Sequence, residues 1–242
     1  MINIGFLDGA EITVLIDNRI HVNYYKLKST WGLSILIKTI YGKIIFDLNS
    51  NWNYIYDNAK ILDENLDDIN FIVISHMHGD HSGGLNGAIN YYLDKGVKVT
   101  IILPKYMRAK GNNIKIVYGH DPVKLFDGAI TTGILGFLIK EQSLILNIKD
   151  KGPVIFVGCS HPGLNKILER TCKLLGVSEV YGVIGGYHIG GFEAYNVAKL
   201  FRKYNVKLVG PAHCTSDSAI NILKSIFKEN FIEIYTGLKF EI

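Results

Sequence analysis

An α/β layered architecture is what this sequence predicts, and two observations carry that expectation. From residue 143 onward, short runs of β-branched and aliphatic residues alternate with segments of helical periodicity. Three of those runs end in a glycine-containing turn that bears a histidine: Gly158-Cys159-Ser160-His161, Gly185-Gly186-Tyr187-His188 and Gly210-Pro211-Ala212-His213. An earlier apolar run, Phe71 to Ile74, leads into His76, His78, Asp80 and His81, with Gly83 and Gly84 behind them. Side chains at strand ends can converge at one edge of a sheet.

Taken in order, residues 11–16 and 32–40 are β-branched and partly alternating and read as strands. Tyr41-Gly42 reads as a hairpin turn into a third strand, 43–47, which ends on Asp47. An acid at a strand end is equally well explained by solvation or turn chemistry. Residues 54–65, with Ile55, Ala59 and Leu62 on one face, predict a helix. Ser82 is expected to cap a second helix from 83 to about 95, stopped by Gly96, and 97–103 reads as a strand ended by Pro104. Between 104 and 142 the pattern weakens to a strand-like piece at 114–118, a turn at His120-Asp121-Pro122 and a glycine-rich run from 128 to 136. Such a stretch suits substrate-binding loops on a rigid scaffold. Beyond it come strands at 144–148, 153–157, 180–184, 206–209 and 231–235, with helices at 163–175, 191–204 and 216–228 between them.

A chain of 242 residues, 48% of them hydrophobic, can bury a sizeable core, and no linker or charge run divides it. A single domain over 1–242 is expected. The net charge of +4 accords with a small anionic substrate and is too weak to indicate nucleic acid. No apolar run approaches the roughly 20 residues of a membrane span, and the first residues lack a basic segment followed by an apolar one, so the expected compartment is the cytoplasm. Cys159, Cys172 and Cys214 are an odd, widely spaced set, read as thiols of a reducing compartment. Oligomeric state is not legible.

The density of ligand types at 76–81 points to a metal. Imidazole and carboxylate are the usual donors for zinc and similar borderline ions. On an extended segment, a spacing of two sends His76, His78 and Asp80 to one side and His81 elsewhere, so one loop can serve two metal positions. A lone histidine in a turn is more often solvated than ligating. Six of the chain's eight histidines fall in these turns, which is hard to reconcile with that bland reading.

The His-x-His-x-Asp-His run from His76 to His81 resembles the signature of the metallo-β-lactamase superfamily, and the likeness extends over nearly the whole chain. Asp47 falls where that family places an early acid, His161 at its third motif and His213 at its last. The resemblance implies a four-layer αβ/βα sandwich with two divalent metal ions at one edge. It assigns His76, His78 and His161 to the first ion, Asp80, His81 and His213 to the second, and Asp47 to a supporting role behind a ligand histidine. Zinc is the default, and manganese or iron suits the same donors. The family often has a bridging aspartate where this chain reads Gly-Gly-Tyr-His188, with Glu179 and Glu193 both badly placed to replace it. Partial occupancy of the second position follows. His188 itself is open to three roles: metal ligand, substrate hydrogen-bonder or acid/base.

Gly32-Leu33-Ser34, Asn58-Ala59, Gly158 to His161, Gly185 to His188 and His213-Cys214-Thr215 resemble a subgroup that includes archaeal pterin-transferring synthases of methanopterin biosynthesis. Leu48-Asn49 after the early acid, and Trp31 before Gly32, depart from its usual pattern at the mouth of the implied cleft. The resemblance implies a hydrolase working through a metal-bound hydroxide on a small phosphorylated ester, with Asp80 orienting the water and His188 as proton donor. The alternative is a synthase joining a dihydropterin methyl diphosphate to a ribofuranosyl-aminobenzene phosphate. A non-catalytic metal-dependent binding or sensing role is the third reading. The first two need an anion site, for which Lys105, Arg108 and Lys110 are candidates.

Overall fold

The computed structural model describes residues 1–24, 26–104 and 114–242; Lys105, Arg108 and Lys110 lie outside the described residues. The chain forms two compact units: Gly9–His120 with Tyr235–Ile242, and Met1–Asp8 with Asp121–Ile234. Each is built on one sheet with helices, the mixed α/β class that the alternation of patterns predicts.

The first unit contains β1 (Glu11–Ile16), β2 (Ser34–Thr39), β3 (Gly42–Phe46), β4 (Phe71–Val73), β5 (Val99–Leu103) and β6 (Ile114–Tyr118), hydrogen-bonded in that order. β2 and β3 form an antiparallel hairpin in which Thr39 faces Gly42, whereas β3 to β6 run parallel. The strand Lys239–Glu241 adds itself antiparallel to the outer edge of β1. Helices α1 (Trp52–Ile61) and α3 (Leu85–Lys95) lay Trp52, Ile55, Ala59, Leu85, Ala88 and Tyr92 against Leu36, Ile45, Ile72 and Ile101. Each fully buried side chain of this size stabilises by about 1.5–3 kcal/mol. The phenolic O–H of buried Tyr92 donates to Leu66 O, so the ring enters the core with its polar tip satisfied.

Between β4 and α3 the residues Gly79–Ser82 form one helical turn, α2. This corrects two expectations. Asp80 and His81 are on that turn, not on an extended segment. Ser82 closes the turn by donating to His78 O and Met77 O; it does not cap α3, which begins behind Gly84. The reason is steric. A Cβ on Gly84 would come within 2.3 Å of Leu48 O, so only glycine lets the backbone pass this close to the segment after β3.

The second unit contains β7 (Lys124–Phe126), β8 (Ala129–Thr131), β9 (Leu144–Ile148), β10 (Gly152–Val157), β11 (Gly182–Gly186) and β12 (Leu208–Ala212), again in sequence order across the sheet. β10, β11 and β12 are parallel, so their C-terminal ends share one edge. Helices α4 (Leu164–Leu175), α5 (Gly191–Lys203) and α6 (Asp217–Phe227) bury Ile167, Leu168, Val197, Phe201, Leu223 and Phe227 against Val157, Val183 and Val209. The strand expected at 231–235 reduces to one bridge, Phe231 with Val209; the closing strand lies at 239–241 instead. Among the described residues no helix is long and apolar enough to cross a membrane.

Candidate metal centre

In the first unit the parallel strands β3 and β4 end side by side and deliver Asp47 and Ser75. Asp47 is fully buried and sits in the left-handed region at φ 61°, where an Asp is tolerated better than most residues. One of its oxygens accepts the Ser75 backbone N–H (2.6 Å). The other accepts the Ser75 hydroxyl (2.7 Å) and meets His81 Nδ1 (2.6 Å). A carboxylate offers only acceptors, so His81 must carry its proton on Nδ1, leaving the ring's lone pair on Nε2. Ser75 Oγ has already given its one proton to Asp47, and it therefore accepts from His76 Nδ1 at 2.9 Å. His76 is thereby set in the same tautomer. One acid fixes two imidazoles.

The lone pair of His76 Nε2 faces His78 Nδ1 at 3.0 Å. Two nitrogens bound tetrahedrally to one zinc at about 2.0–2.1 Å would stand about 3.3 Å apart. The pair is within a few tenths of an ångström of that separation. The His76 and His81 rings lie 4.2 Å apart between centroids, so all three imidazoles of the loop are neighbours. Asp80 is held from outside the loop, where the indole N–H of Trp31 donates to its carboxylate at 2.7 Å. This donor set fits a divalent ion.

In the second unit the turns after β10, β11 and β12 carry His161, His188 and His213, and His161 and His188 stand 4.9 Å apart between ring centroids. Ser160, His188 and His213 all take positive φ, between 47° and 58°. Non-glycine residues held there cost of order 1–3 kcal/mol each and persist only where their surroundings enforce it. The enforcement is visible. Buried Glu141 accepts four backbone N–H groups, from Gly158, Cys159, Ser160 and His161, at 2.8–3.1 Å. Ser160 Oγ donates to Gly186 O, and Tyr187 N–H donates to Thr215 Oγ1, so the three turns are tied to one another. A Cβ on Gly186 would lie 2.3 Å from Gly158 O, which explains a glycine at that strand end.

The cysteines, read from the sequence as plain thiols, belong to this edge as well. The Cys159 and Cys214 sulfurs and a ring nitrogen of His188 lie within 4.8 Å of one another. The Cys214 thiol is drawn down to about 7 by its hydrogen bond with Cys159, against the upward pull of burial, with further help from His188. His188 is exposed and lines a cavity of about 390 Å³ with His161, Asn165 and Glu193, among others. No carboxylate stands at the tip of β11. Glu193 accepts the Gly190 N–H at the start of α5, and Glu179 accepts from Asn205.

Residues 32–143 match the family model of the metallo-β-lactamase superfamily. Over those residues, just under half of the chain, it carries a metallo-β-lactamase superfamily domain. It is 29% identical to the 7,8-dihydropterin-6-methyl-4-(β-D-ribofuranosyl)-aminobenzene-5′-phosphate synthase of Methanocaldococcus jannaschii, over 98% of each chain. A solved metal-dependent hydrolase of the β-lactamase superfamily superposes with a TM-score of 0.74 at 25% identity, over 96% of this chain and 99% of the other. A metallo-β-lactamase fold protein from Bacillus subtilis superposes with a TM-score of 0.69, over 97% and 99%, and at 10% identity it shows the fold alone. Its similarity to a synthase and to a hydrolase makes the chain an enzyme. Metal dependence is the rule in the superfamily.

Three contacts that hold the histidine-bearing turns leave no signal in the sequence: Glu141 with residues 158–161 in the second unit, and in the first Trp31 with Asp80 and Ser75 between Asp47 and His76. Trp31 gives an immediate test. Its side chain is 64% exposed, so Trp31→Phe should change stability by no more than about 0.5 kcal/mol. It removes the indole donor held against Asp80, and chelator competition should show several-fold weaker metal binding with an unchanged melting temperature.

Proposed function

We propose that the chain is a metal-dependent enzyme acting on a small phosphorylated substrate. In this reading His76, His78 and His161 hold one divalent ion, Asp80, His81 and His213 hold a second, and Asp47 supports them from behind. The observation that carries it is the His76–His78 nitrogen pair at 3.0 Å, with its tautomer set through Ser75 by a buried acid. Zinc suits the donors, manganese or iron could replace it, and the second position is the more weakly held because the tip of β11 offers no acid.

The ions, when bound, supply an activated water and a positive charge for the substrate's oxygens. Asp47 and Ser75 keep the imidazole lone pairs aimed, Trp31 orients Asp80, and Glu141 holds the turn that presents His161. His188, exposed and lining the 390 Å³ cavity, would in this reading give a proton to a leaving-group oxygen. The cavity is in the size range of small-molecule sites.

Hydrolysis of an ester-type substrate is the first reading, supported by the 25% identical metal-dependent hydrolase. The second is condensation of a dihydropterin methyl diphosphate with a ribofuranosyl-aminobenzene phosphate, supported by end-to-end identity of 29% with the archaeal synthase. Metal-loaded protein incubated with bis-p-nitrophenyl phosphate, and separately with the pterin diphosphate with and without the arylamine, distinguishes them. Diphosphate release only with both partners present would sink the hydrolase. Ester cleavage lost in His78→Ala, with no arylamine-dependent release, would sink the synthase. No turnover of either substrate would sink both and leave a metal-dependent binding or sensing protein.

A further inference from the structure

We propose that Cys159, His188 and Cys214 form a binding site for one thiophilic metal ion on the edge of the second unit's sheet. The three donors come from three consecutive strand-end turns on one edge of the second unit's sheet, after β10, β11 and β12. Their ligand atoms are mutually within 4.8 Å. Two sulfurs bound tetrahedrally to one zinc at about 2.3 Å stand about 3.8 Å apart, so closure around an ion asks for a contraction of about 1 Å at most.

The turns are already fixed in place. Ser160 Oγ holds Gly186 O, Gly186 N–H holds Gly158 O, Thr215 Oγ1 holds the Tyr187 N–H, and Glu141 clamps residues 158–161. Gly186 matters here in a second way: a Cβ at that position would sit 2.6 Å from the Cys214 sulfur. The sulfur thus occupies space that any other residue would fill. Cys159 is buried, Cys214 half-buried and His188 exposed, so an ion held here keeps a coordination position toward solvent.

The donor chemistry names the ligand class. Two thiolates and an imidazole favour zinc, cadmium or copper(I) over magnesium, calcium or manganese. Binding a divalent ion forms two metal–sulfur bonds and releases the two thiol protons to solvent. It also engages His188, so an ion in this site removes that imidazole from proton transfer. Neither cysteine is among the residues proposed to hold the catalytic ions, although the Cys159 sulfur also lies within 4.8 Å of a ring nitrogen of His161 and of one of His213, so the thiolate site adjoins those two ligands.

The test is a cadmium titration of the reduced protein, followed by the sulfur-to-metal charge-transfer absorption. It is run on the unmodified chain and on a His76→Ala/His78→Ala variant that disables the first unit's loop. Both should show the band, saturating at one cadmium per chain. Cys159→Ser and Cys214→Ser should each abolish it, Cys172→Ser should not, and His188→Ala should weaken binding by at least about tenfold. Because a serine variant can fail to fold, thiol alkylation followed by peptide mass analysis is done on the unmodified chain. Cadmium should protect Cys159 and Cys214 and leave Cys172 reactive. Absence of the band, its survival in both Cys159→Ser and Cys214→Ser, its loss in the His76/His78 variant, or equal protection of all three thiols would each overturn the proposal.

Discussion

Asp47→Asn is expected to weaken metal binding by about 10–100-fold while the protein stays folded. The substitution keeps shape and volume and changes only which groups can donate. The asparagine oxygen can still accept the Ser75 N–H, but its amide nitrogen takes the place of the oxygen facing Ser75 Oγ and His81 Nδ1. A donor there reverses the direction of each bond. His81 Nδ1 must become an acceptor, its proton moves to Nε2, and the same reversal passes through Ser75 to His76. Two lone pairs that pointed toward an ion are then capped by hydrogens. Metal content by elemental analysis and affinity by chelator competition, beside a thermal melt, check this. An affinity within about twofold of the parent at unchanged stability would show that the tautomers are not set by Asp47.

Glu141→Ala is expected to cost about 3–5 kcal/mol, the range for removing one side of a buried charged interaction. Four backbone N–H groups lose their acceptor together, and a buried donor left unsatisfied costs about 1–3 kcal/mol on its own. For a chain of this size the melting temperature should fall by on the order of 10 °C. Glu141→Gln should be intermediate, because its amide nitrogen would confront at least one of the same N–H groups. A drop of less than about 2 °C for the alanine variant would mean that the turn at 158–161 holds itself.

The sequence made the histidine loop legible because its donors are neighbours along the chain, and made α1, α4, α5 and α6 legible because their apolar residues recur at helical spacing. Glu141 was not legible for a physical reason. It acts on backbone N–H groups 17 to 20 positions away, and a backbone donor leaves no mark on residue type. The Trp31–Asp80 bond spans 49 positions. Nor did local pattern disclose β7 and β8, which are only three residues each and border a glycine-rich stretch. Ser82 misled because serine before a helix is a common cap, while here two glycines after it continue the helical path with φ of −63° and −72°. The expected strand at 231–235 shrinks to a single bridge on the open edge of β12, because local pattern does not say for how many residues two segments stay in register.

The strand Lys239–Glu241 has a consequence for how the protein is made. It pairs with Glu11 to Thr13, and Lys239 bonds Glu64 at 2.7 Å, so the unit whose strands are synthesised first is completed by residues synthesised after all of β7 to α6. During translation the outer edge of β1 therefore has no strand to pair with, for as long as the ribosome takes to build the whole second unit. An open edge is where one nascent chain can zip onto another. The rate of elongation past residue 120, more than the final stability, sets how long that exposure lasts.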